Sequence, residues 1–112
     1  GVAFSPDGKQ VAVSGSDGSV VVADAGTGAA VRKWNPGKGA VDGLEFTRAG
    51  AKVVFGSHEP DAAVGLLDPK TDEAEVIRVP RSVHHLAVSD RVLAAIGDDF
   101  AIRLWDLADP AR

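Results

Sequence analysis

Cysteine, methionine and tyrosine are absent from this chain of 112 residues. The absence of cysteine excludes disulfides, thiolate metal ligands and cysteine nucleophiles, because all three need a thiol. No apolar run approaches the roughly 18 to 20 residues that span a bilayer, and no basic and then apolar leader follows Gly1. We therefore expect a cytoplasmic protein with no membrane partner, and we expect its natural start to lie upstream of Gly1.

The chain also lacks a cluster of charge of one sign. Its 12 basic and 16 acidic residues give a formal net charge of −4, and the two signs are mixed along the sequence. A nucleic-acid partner is not expected, because binding to phosphates needs a stripe or patch of lysine and arginine.

Turn-forming residues, in contrast, are abundant. Thirteen glycines and six prolines separate short valine-rich runs, and 45% of the residues are hydrophobic. Glycine and proline end extended segments and break helices, whereas valine favours strands. The composition predicts an all-β fold.

One segment occurs three times along the chain. "GVAFSPDGKQVAV" at residue 1 aligns with "GLEFTRAGAKVVF" at residue 43 and "HLAVSDRVLAAI" at residue 85. An acidic residue also closes an apolar pair in each copy, at Asp24, Asp68 and Asp106. The chain is therefore a little under three copies of a unit of about 42 residues.

Each unit has the pattern of short strands joined by turns such as "SPDG" and "GSDG", in which proline presets φ and glycine accepts positive φ. Eleven strands are predicted, and the third unit has no fourth strand. They lie near Val2–Phe4, Gln10–Ser14, Ser19–Ala23, Ala29–Trp34, Val41–Phe46, Lys52–Phe55, Ala63–Leu67, Glu75–Val79, Val83–Val88, Arg91–Ile96 and Ala101–Trp105.

The segments "VAFSPDGK", "SGSDGSVVVADAGTG", "GAVDGLEF" and "GDDFAIRLWD" resemble those of the WD-repeat β-propeller family. The resemblance implies propeller blades, each a four-stranded antiparallel meander, in an arc of about three blades from a larger or oligomer-closed propeller. We expect the blades at about 1–40, 41–82 and 83–112, the last without its outer strand.

The resemblance also assigns structural motif residues, several of them in turns. They are Asp7, Gly8, Asp17, Asp24, Asp68, Asp98, Trp105 and Asp106. The family's tryptophan is replaced by Ala23 and Leu67 in the first two units, and its Gly-His pair is missing before the second and third. We expect Trp105 to be buried and Trp34 to be more exposed.

Candidate metal ligands are few. His58, Glu59 and Asp61 stand together in "SHEPDA", but Pro60 marks a loop, and a solvated connection is the favoured interpretation. His84 and His85 are neighbours in a predicted strand, so their rings point to opposite faces and cannot chelate one ion, and we expect one packed and one exposed. No metal or cofactor is predicted.

Catalytic patterns are also missing. "SPDGK" lacks the glycine-rich cradle of a phosphate loop, and "GSDGS" lacks the ligand spacing of a calcium loop. The aspartates of "GSDGS" and "GDDF" suit turn capping, and the serines have no evident activating base. We therefore expect no enzymatic activity.

The family resemblance implies a non-catalytic scaffold that binds protein or peptide partners through its loops and channel rim. The alternative is a regulatory or channel-mouth propeller portion of a larger enzyme or signalling protein. The open faces of the end blades would pack against further blades of a longer chain or against copies of the same chain.

Overall fold

A computed structural model describes residues 1–47, 52–89, 92–98 and 102–106; in the last segment, only the side chains of residues 102 and 104 are described. These residues form eleven strands and no helix, so none of them forms a helix able to cross a membrane. The strands are β1 (Val2–Phe4), β2 (Gln10–Ser14), β3 (Val20–Asp24), β4 (Ala30–Trp34), β5 (Val41–Phe46), β6 (Val53–Ser57), β7 (Ala63–Leu67), β8 (Ala74–Arg78), β9 (Val83–Val88), β10 (Val92–Gly97) and β11 (Ile102–Asp106).

The strands form three antiparallel sheets in which neighbours in sequence are neighbours in space. The first sheet has the order β1-β2-β3-β4, the second β5-β6-β7-β8, and the third β9-β10-β11. The predicted all-β meanders are confirmed, and the observed strand ends differ from the predicted ones by at most two residues. β3 begins at Val20, because the backbone N–H and the hydroxyl of Ser19 both donate to Asp17 Oδ1 in the preceding turn.

The "SPDG" turn shows why the chain reverses between β1 and β2. Gly8 has a φ of 72°, as the sequence predicts, and its N–H donates to the carbonyl of Ser5 over 2.9 Å. Asp7 Oδ1 accepts hydrogen bonds from the hydroxyl of Ser5 and the N–H of Lys9. A residue with a Cβ is disfavoured at such a φ, so glycine suits this position.

The second sheet lies between the other two and is buried on both faces. Every residue of β6 and β7 is buried. Because side chains alternate across a strand, Val53 and Phe55 face the first sheet while Val54 faces the third. The central sheet thus supplies one wall to each of two hydrophobic cores.

The two cores have separate memberships. Between the first and second sheets lie Ala12, Val20, Val22, Val41, Leu44, Phe46, Val53, Phe55, Ala63 and Leu67. Between the second and third lie Val54, Val64, Leu66, Val83, Leu93 and Ala95. Burial of a valine or leucine side chain contributes about 1.5–3 kcal/mol, so these cores hold adjacent sheets together.

Glycine at one repeat position lets the start of the first and of the second sheet approach the next sheet closely. A Cβ at Gly43 would lie 2.8 Å from Cδ2 of Leu86, and a Cβ at Gly1 would lie 3.3 Å from Cβ of Leu44. Gly1 and Gly43 are 42 residues apart, and so are Leu44 and Leu86. The same contact therefore recurs at both junctions between sheets.

The outer faces of the first and third sheets expose large apolar side chains. In the first sheet these are Val2, Phe4, Val13 and Val31, and in the third they are Val92, Ile96, Ile102 and Leu104. Phe4 and Leu104 are each 64% exposed. Contiguous apolar surface of this kind favours association.

We expect Gly65→Ala to destabilise the chain. A Cβ at Gly65 would lie 2.5 Å from both Cε1 of the fully buried Phe55 and the carbonyl oxygen of Glu75, so the ring or the backbone must move. Overpacking of this kind typically costs about 1–3 kcal/mol, which urea unfolding would measure. Gly26→Ala is the control, because its Cβ would contact only Asp24 Oδ1 at 3.2 Å. Equal stabilities for the two variants would contradict the close approach.

We also expect the chain to associate through its apolar end faces. Light scattering coupled to size exclusion at micromolar concentration should give a mass above the 11.5 kDa of one chain. Phe4→Glu or Ile102→Glu should lower that mass, because a charge then replaces an exposed apolar side chain. Val76→Glu, on the outer strand of the central sheet, should leave it unchanged. A sharp 11.5 kDa species from the unsubstituted chain would refute this expectation.

Candidate functional site

The antiparallel meanders place alternate loops on opposite edges of the three sheets. We call one edge the front edge. It carries the loops 15–19, 35–40, 58–62 and 79–82, and Asp98. We call the other the back edge, which carries the loops 5–9, 25–29 and 68–73. The sequence segments "NPGKGA" and "SHEPDA" therefore share the front edge, whereas "DPKTDEAE" begins on the back edge.

Backbone hydrogen bonds join the front-edge loops of neighbouring sheets. The N–H of Val41 donates to the carbonyl of Gly15, and the N–H of His58 donates to the carbonyl of Ala40. Arg78 adds a side-chain clamp, in which its two terminal nitrogens donate to the carbonyls of Asp61 and Pro36 at 2.9 and 3.0 Å. The front edge is a connected rim rather than a set of independent loops.

Four titratable side chains meet on this rim, and we call them the rim cluster: Asp42, His58, His84 and Asp98. Asp42 and His84 lie near the front ends of β5 and β9, and His58 and Asp98 directly follow β6 and β10. The second and third sheets each contribute one strand residue and one loop residue. The cluster therefore spans the junction of two sheets.

The distances within the rim cluster are short. His84 Nε2 lies 2.5 Å from Asp98 Oδ1, and His58 Nε2 lies 2.5 Å from Asp42 Oδ2. The imidazoles of His58 and His84 meet edge to face, with their ring centroids 4.7 Å apart. One ligand atom from each of Asp42, His58 and His84 lies within 4.8 Å of the other two.

His58 is the least exposed member of the cluster. Its side chain is 26% exposed, against 54% for Asp42, and its Nε2 atom is shielded from solvent. The carboxylate oxygen of Asp42 is close to Nε2 but is not aligned with the ring N–H, so this nitrogen has no hydrogen-bond partner among the described residues. A buried nitrogen without an aligned partner loses the hydrogen bond that it had with water.

Ser82 ties together the two loops that carry His58 and Asp98. Its hydroxyl accepts a hydrogen bond from the N–H of Glu59 at 2.8 Å, and its carbonyl accepts one from the N–H of Asp98 at 3.0 Å. Ser82 itself is buried. Ser82, between β8 and β9, therefore connects the backbones of the two loops that carry His58 and Asp98.

The structure places most of the motif aspartates in their own turns. Asp17 accepts from Ser19, Asp24 from the N–H groups of Gly26 and Thr27, and Asp68 from the N–H of Lys70. The hydroxyl of Ser5 lowers the pKa of Asp7, the hydroxyl of Ser19 lowers that of Asp17, and the N–H of Thr27 lowers that of Asp24. These hydrogen bonds favour the ionised carboxylate.

Of two further motif residues, Trp105 and Asp106, the structure describes only the backbone. The backbones of Trp105 and Asp106 pair with Leu93 and Val92, but their side chains lie outside the described residues. Asp99 also lies outside them. Trp34, which we expect to be more exposed than Trp105, is half-buried and packs against the first core, and the comparison with the Trp105 side chain lies outside the described residues.

Sequence reasoning missed the rim cluster. It grouped His58 with its sequence neighbours in a solvated loop, whereas the structure groups it with Asp42 and His84. It also expected one of His84 and His85 to be packed, but both are exposed, and Asp98 contacts His84 rather than only capping its turn. A signal was present, because Asp42 and His84 are 42 residues apart and therefore occupy the same position in adjacent repeats.

Comparisons with known proteins agree with this geometry. Residues 1–24 match the family model described as WD domain, G-beta repeat. The solved structures that are similar include a structure of U3-55K, with a TM-score of 0.85, and a crystal structure of RRP9 WD40 repeats, with a TM-score of 0.86. The chain therefore has the fold of β-propeller blades, and residues 1–24 match a WD repeat.

The similarity to these two structures is one of fold. Each is 21% identical to this chain and matches 97% of it, while the chain spans only 34% of either. The three sheets correspond to propeller blades, and the front edge is one rim of the arc that they form.

The lowered pKa values of Asp17 and Asp24 predict a specific dependence of stability on acid. Because their folded-state pKa values lie below the ordinary 3.8, the stabilisation is present above that pH and is lost as the pH falls through the folded values. Asp17→Asn/Asp24→Asn should therefore lower the melting temperature at about pH 6 and have less effect near about pH 2. Ser19→Ala should reproduce part of the effect of Asp17→Asn. A loss of stability that is the same at both pH values would contradict this assignment.

Proposed function

We propose that this chain is part of a non-catalytic protein-interaction scaffold whose front edge binds protein or peptide partners. WD-repeat propeller folds support a scaffold role in general. The assignment to the front edge rests on the hydrogen bonds of Val41, His58 and Arg78, which connect loops from adjacent blades. These bonds favour a rigid surface. A preorganised surface loses little conformational entropy when it binds.

The front edge also offers groups that a peptide can use. Glu59 and Asp42 expose about half of their side chains, and Lys38 is exposed on the neighbouring loop. Exposed charges of both signs provide electrostatic complementarity, which favours specificity and rapid association. The back edge has exposed charges as well, but fewer of the described hydrogen bonds connect its loops from one blade to the next.

Several serine hydroxyls have structural partners, which fits a role without catalysis. The hydroxyls of Ser5 and Ser19 donate to aspartates in their own turns, and that of Ser14 donates to the carbonyl of Val41 at 2.6 Å. A nucleophilic serine needs an adjacent base instead. These contacts support the scaffold over a hydrolytic site at the channel mouth.

The blade boundaries are part of the same proposal. We assign the blades to residues 1–40, 41–82 and 83–112, so that each boundary falls in a front-edge loop or at its end. The partners of the two end faces are then further blades, either from a longer chain or from a second copy. Because further blades would cover the end faces, peptide partners would bind at the edges of the arc.

A peptide-display selection against the chain tests the proposed function. Peptides that are selected should bind the unsubstituted chain and bind Lys38→Glu/Glu59→Lys at least about tenfold more weakly, because two exposed charges of the front edge are reversed. The matched control is Lys70→Glu/Glu73→Lys, which reverses two exposed charges of the back edge. Both double variants keep the net charge, and the control should bind the peptides as the unsubstituted chain does.

Circular dichroism should show the same strand content in both variants, since the substituted side chains are exposed. Selected peptides that bind both double variants equally, or that lose binding only in the back-edge variant, would contradict the assignment of the front edge.

A further inference from the structure

We propose that Asp42, His58 and His84 bind a divalent transition-metal ion, of which Zn²⁺ is the representative, at the rim between the second and third blades. The proposal rests on the position of these three side chains and does not depend on the scaffold function. Asp98 completes the site by contacting His84. The ion would join two adjacent blades, since Asp42 and His58 belong to one and His84 to the other.

The ligand set favours zinc-like ions over hard cations. Two imidazole nitrogens and one carboxylate oxygen suit Zn²⁺, which commonly takes three protein ligands and leaves a fourth position open. Ca²⁺ and Mg²⁺ prefer oxygen ligands only. The site is therefore expected to bind Zn²⁺ more tightly than Ca²⁺ or Mg²⁺, because two of its three ligand atoms are nitrogens.

The geometry needs only small side-chain movements. Around a tetrahedral ion with bonds of about 2.1 Å, ligand atoms lie about 3.4 Å apart. The three ligand atoms already lie within 4.8 Å of one another. The side chains of Asp42 and His84 are 54% and 40% exposed, so both can rotate without disturbing a core.

The shielded nitrogen of His58 supports the same site, because the carboxylate that it contacts belongs to Asp42, another of the proposed ligands. His58 Nε2 has no aligned hydrogen-bond partner among the described residues, although it is closed off from water. Coordination to a metal ion would satisfy this nitrogen, because its lone pair would then be used as a ligand. The loop backbone already holds the ring, through the hydrogen bonds of His58 N to Ala40 and of Glu59 N to Ser82.

Asp98 has the position of an outer carboxylate. Metal-binding histidines commonly contact a carboxylate that orients the imidazole and raises its basicity. Asp98 lies against His84 Nε2, and its backbone is held by the carbonyl of Ser82. A hollow lined by His84, His85, Ile96, Gly97 and Asp98 opens beside it.

The same contacts have a second interpretation, in which no ion binds. His58 with Asp42, and His84 with Asp98, would then be two separate ion pairs of exposed or half-exposed groups. Such pairs contribute little to the stability of the fold. This interpretation predicts no specific metal binding, and the experiment below distinguishes the two.

The test is a titration of the chelator-treated full chain with Zn²⁺, in which isothermal titration calorimetry measures the binding. We expect one Zn²⁺ per chain, with binding that persists in excess Mg²⁺ and Ca²⁺. His58→Ala and His84→Ala should each weaken binding by at least about tenfold, and Asp98→Asn by about 10–100-fold, as outer-carboxylate substitutions do. Unchanged Zn²⁺ affinity in both histidine variants would overturn the site.

His85→Ala is the matched control. His85 is exposed and follows His84 directly, but it points to the opposite face of β9, so its removal should leave Zn²⁺ affinity unchanged. A loss of binding in His85→Ala equal to that in His84→Ala would assign the ion elsewhere and overturn the proposal.

A spectroscopic measurement on the unsubstituted chain does not depend on the folding of any variant. Co²⁺ bound by nitrogen and oxygen ligands in a four-coordinate site should give visible absorption bands that Zn²⁺ abolishes at one equivalent. The spectrum of hydrated Co²⁺, unchanged by the protein, would refute the metal site. The front-edge variant Lys38→Glu/Glu59→Lys retains all four cluster residues, so failure of the peptide-binding proposal would leave the Zn²⁺ result unaffected.

Discussion

Burial of the central sheet on both faces is the constraint on which the rest of the structure depends. β6 and β7 are buried throughout, and their alternating side chains supply both cores. A four-stranded meander alone would leave apolar side chains exposed to water on its faces. Each blade is therefore stable only when it packs against a neighbouring blade. Packing is also close within the central sheet, because the ring of Phe55 lies where a side chain at the paired position 65 would stand.

The rim is a consequence of that stacking. When blades stack at the distance set by Gly43 and Leu86, their front-edge loops come within hydrogen-bond range, and equivalent positions in adjacent repeats become neighbours. Asp42 and His84 occupy one such position. A repeat protein can therefore assemble a polar site from residues that are far apart in sequence without any loop having been built for the purpose.

The sequence predicted the repeat, the meanders and each strand boundary to within two residues, because alternation and turn chemistry are local properties. Gly8 has the positive φ that its turn requires, for example. The rim cluster was not predicted, because it depends on the distance between blades and on the loop path that turns His58 toward its neighbours. Trp34 shows that an outer strand can still direct a large ring toward the core.

The three repeats differ in the residue at one contact position between blades, and the exception lies on the outer face of the third blade. Gly1, Gly43 and His85 occupy the same repeat position, but only the two glycines permit the close approach of a leucine from the next blade. His85 is exposed there, beside an apolar hollow lined by Ala94 and Ile102. A blade that packs on this face at the same distance would meet an imidazole instead of a gap. It must therefore carry a residue smaller than leucine at the contact, or His85 must turn away. Val2, at the equivalent position of the first blade, is smaller than Leu44 and Leu86, although the difference is less than the volume of an imidazole.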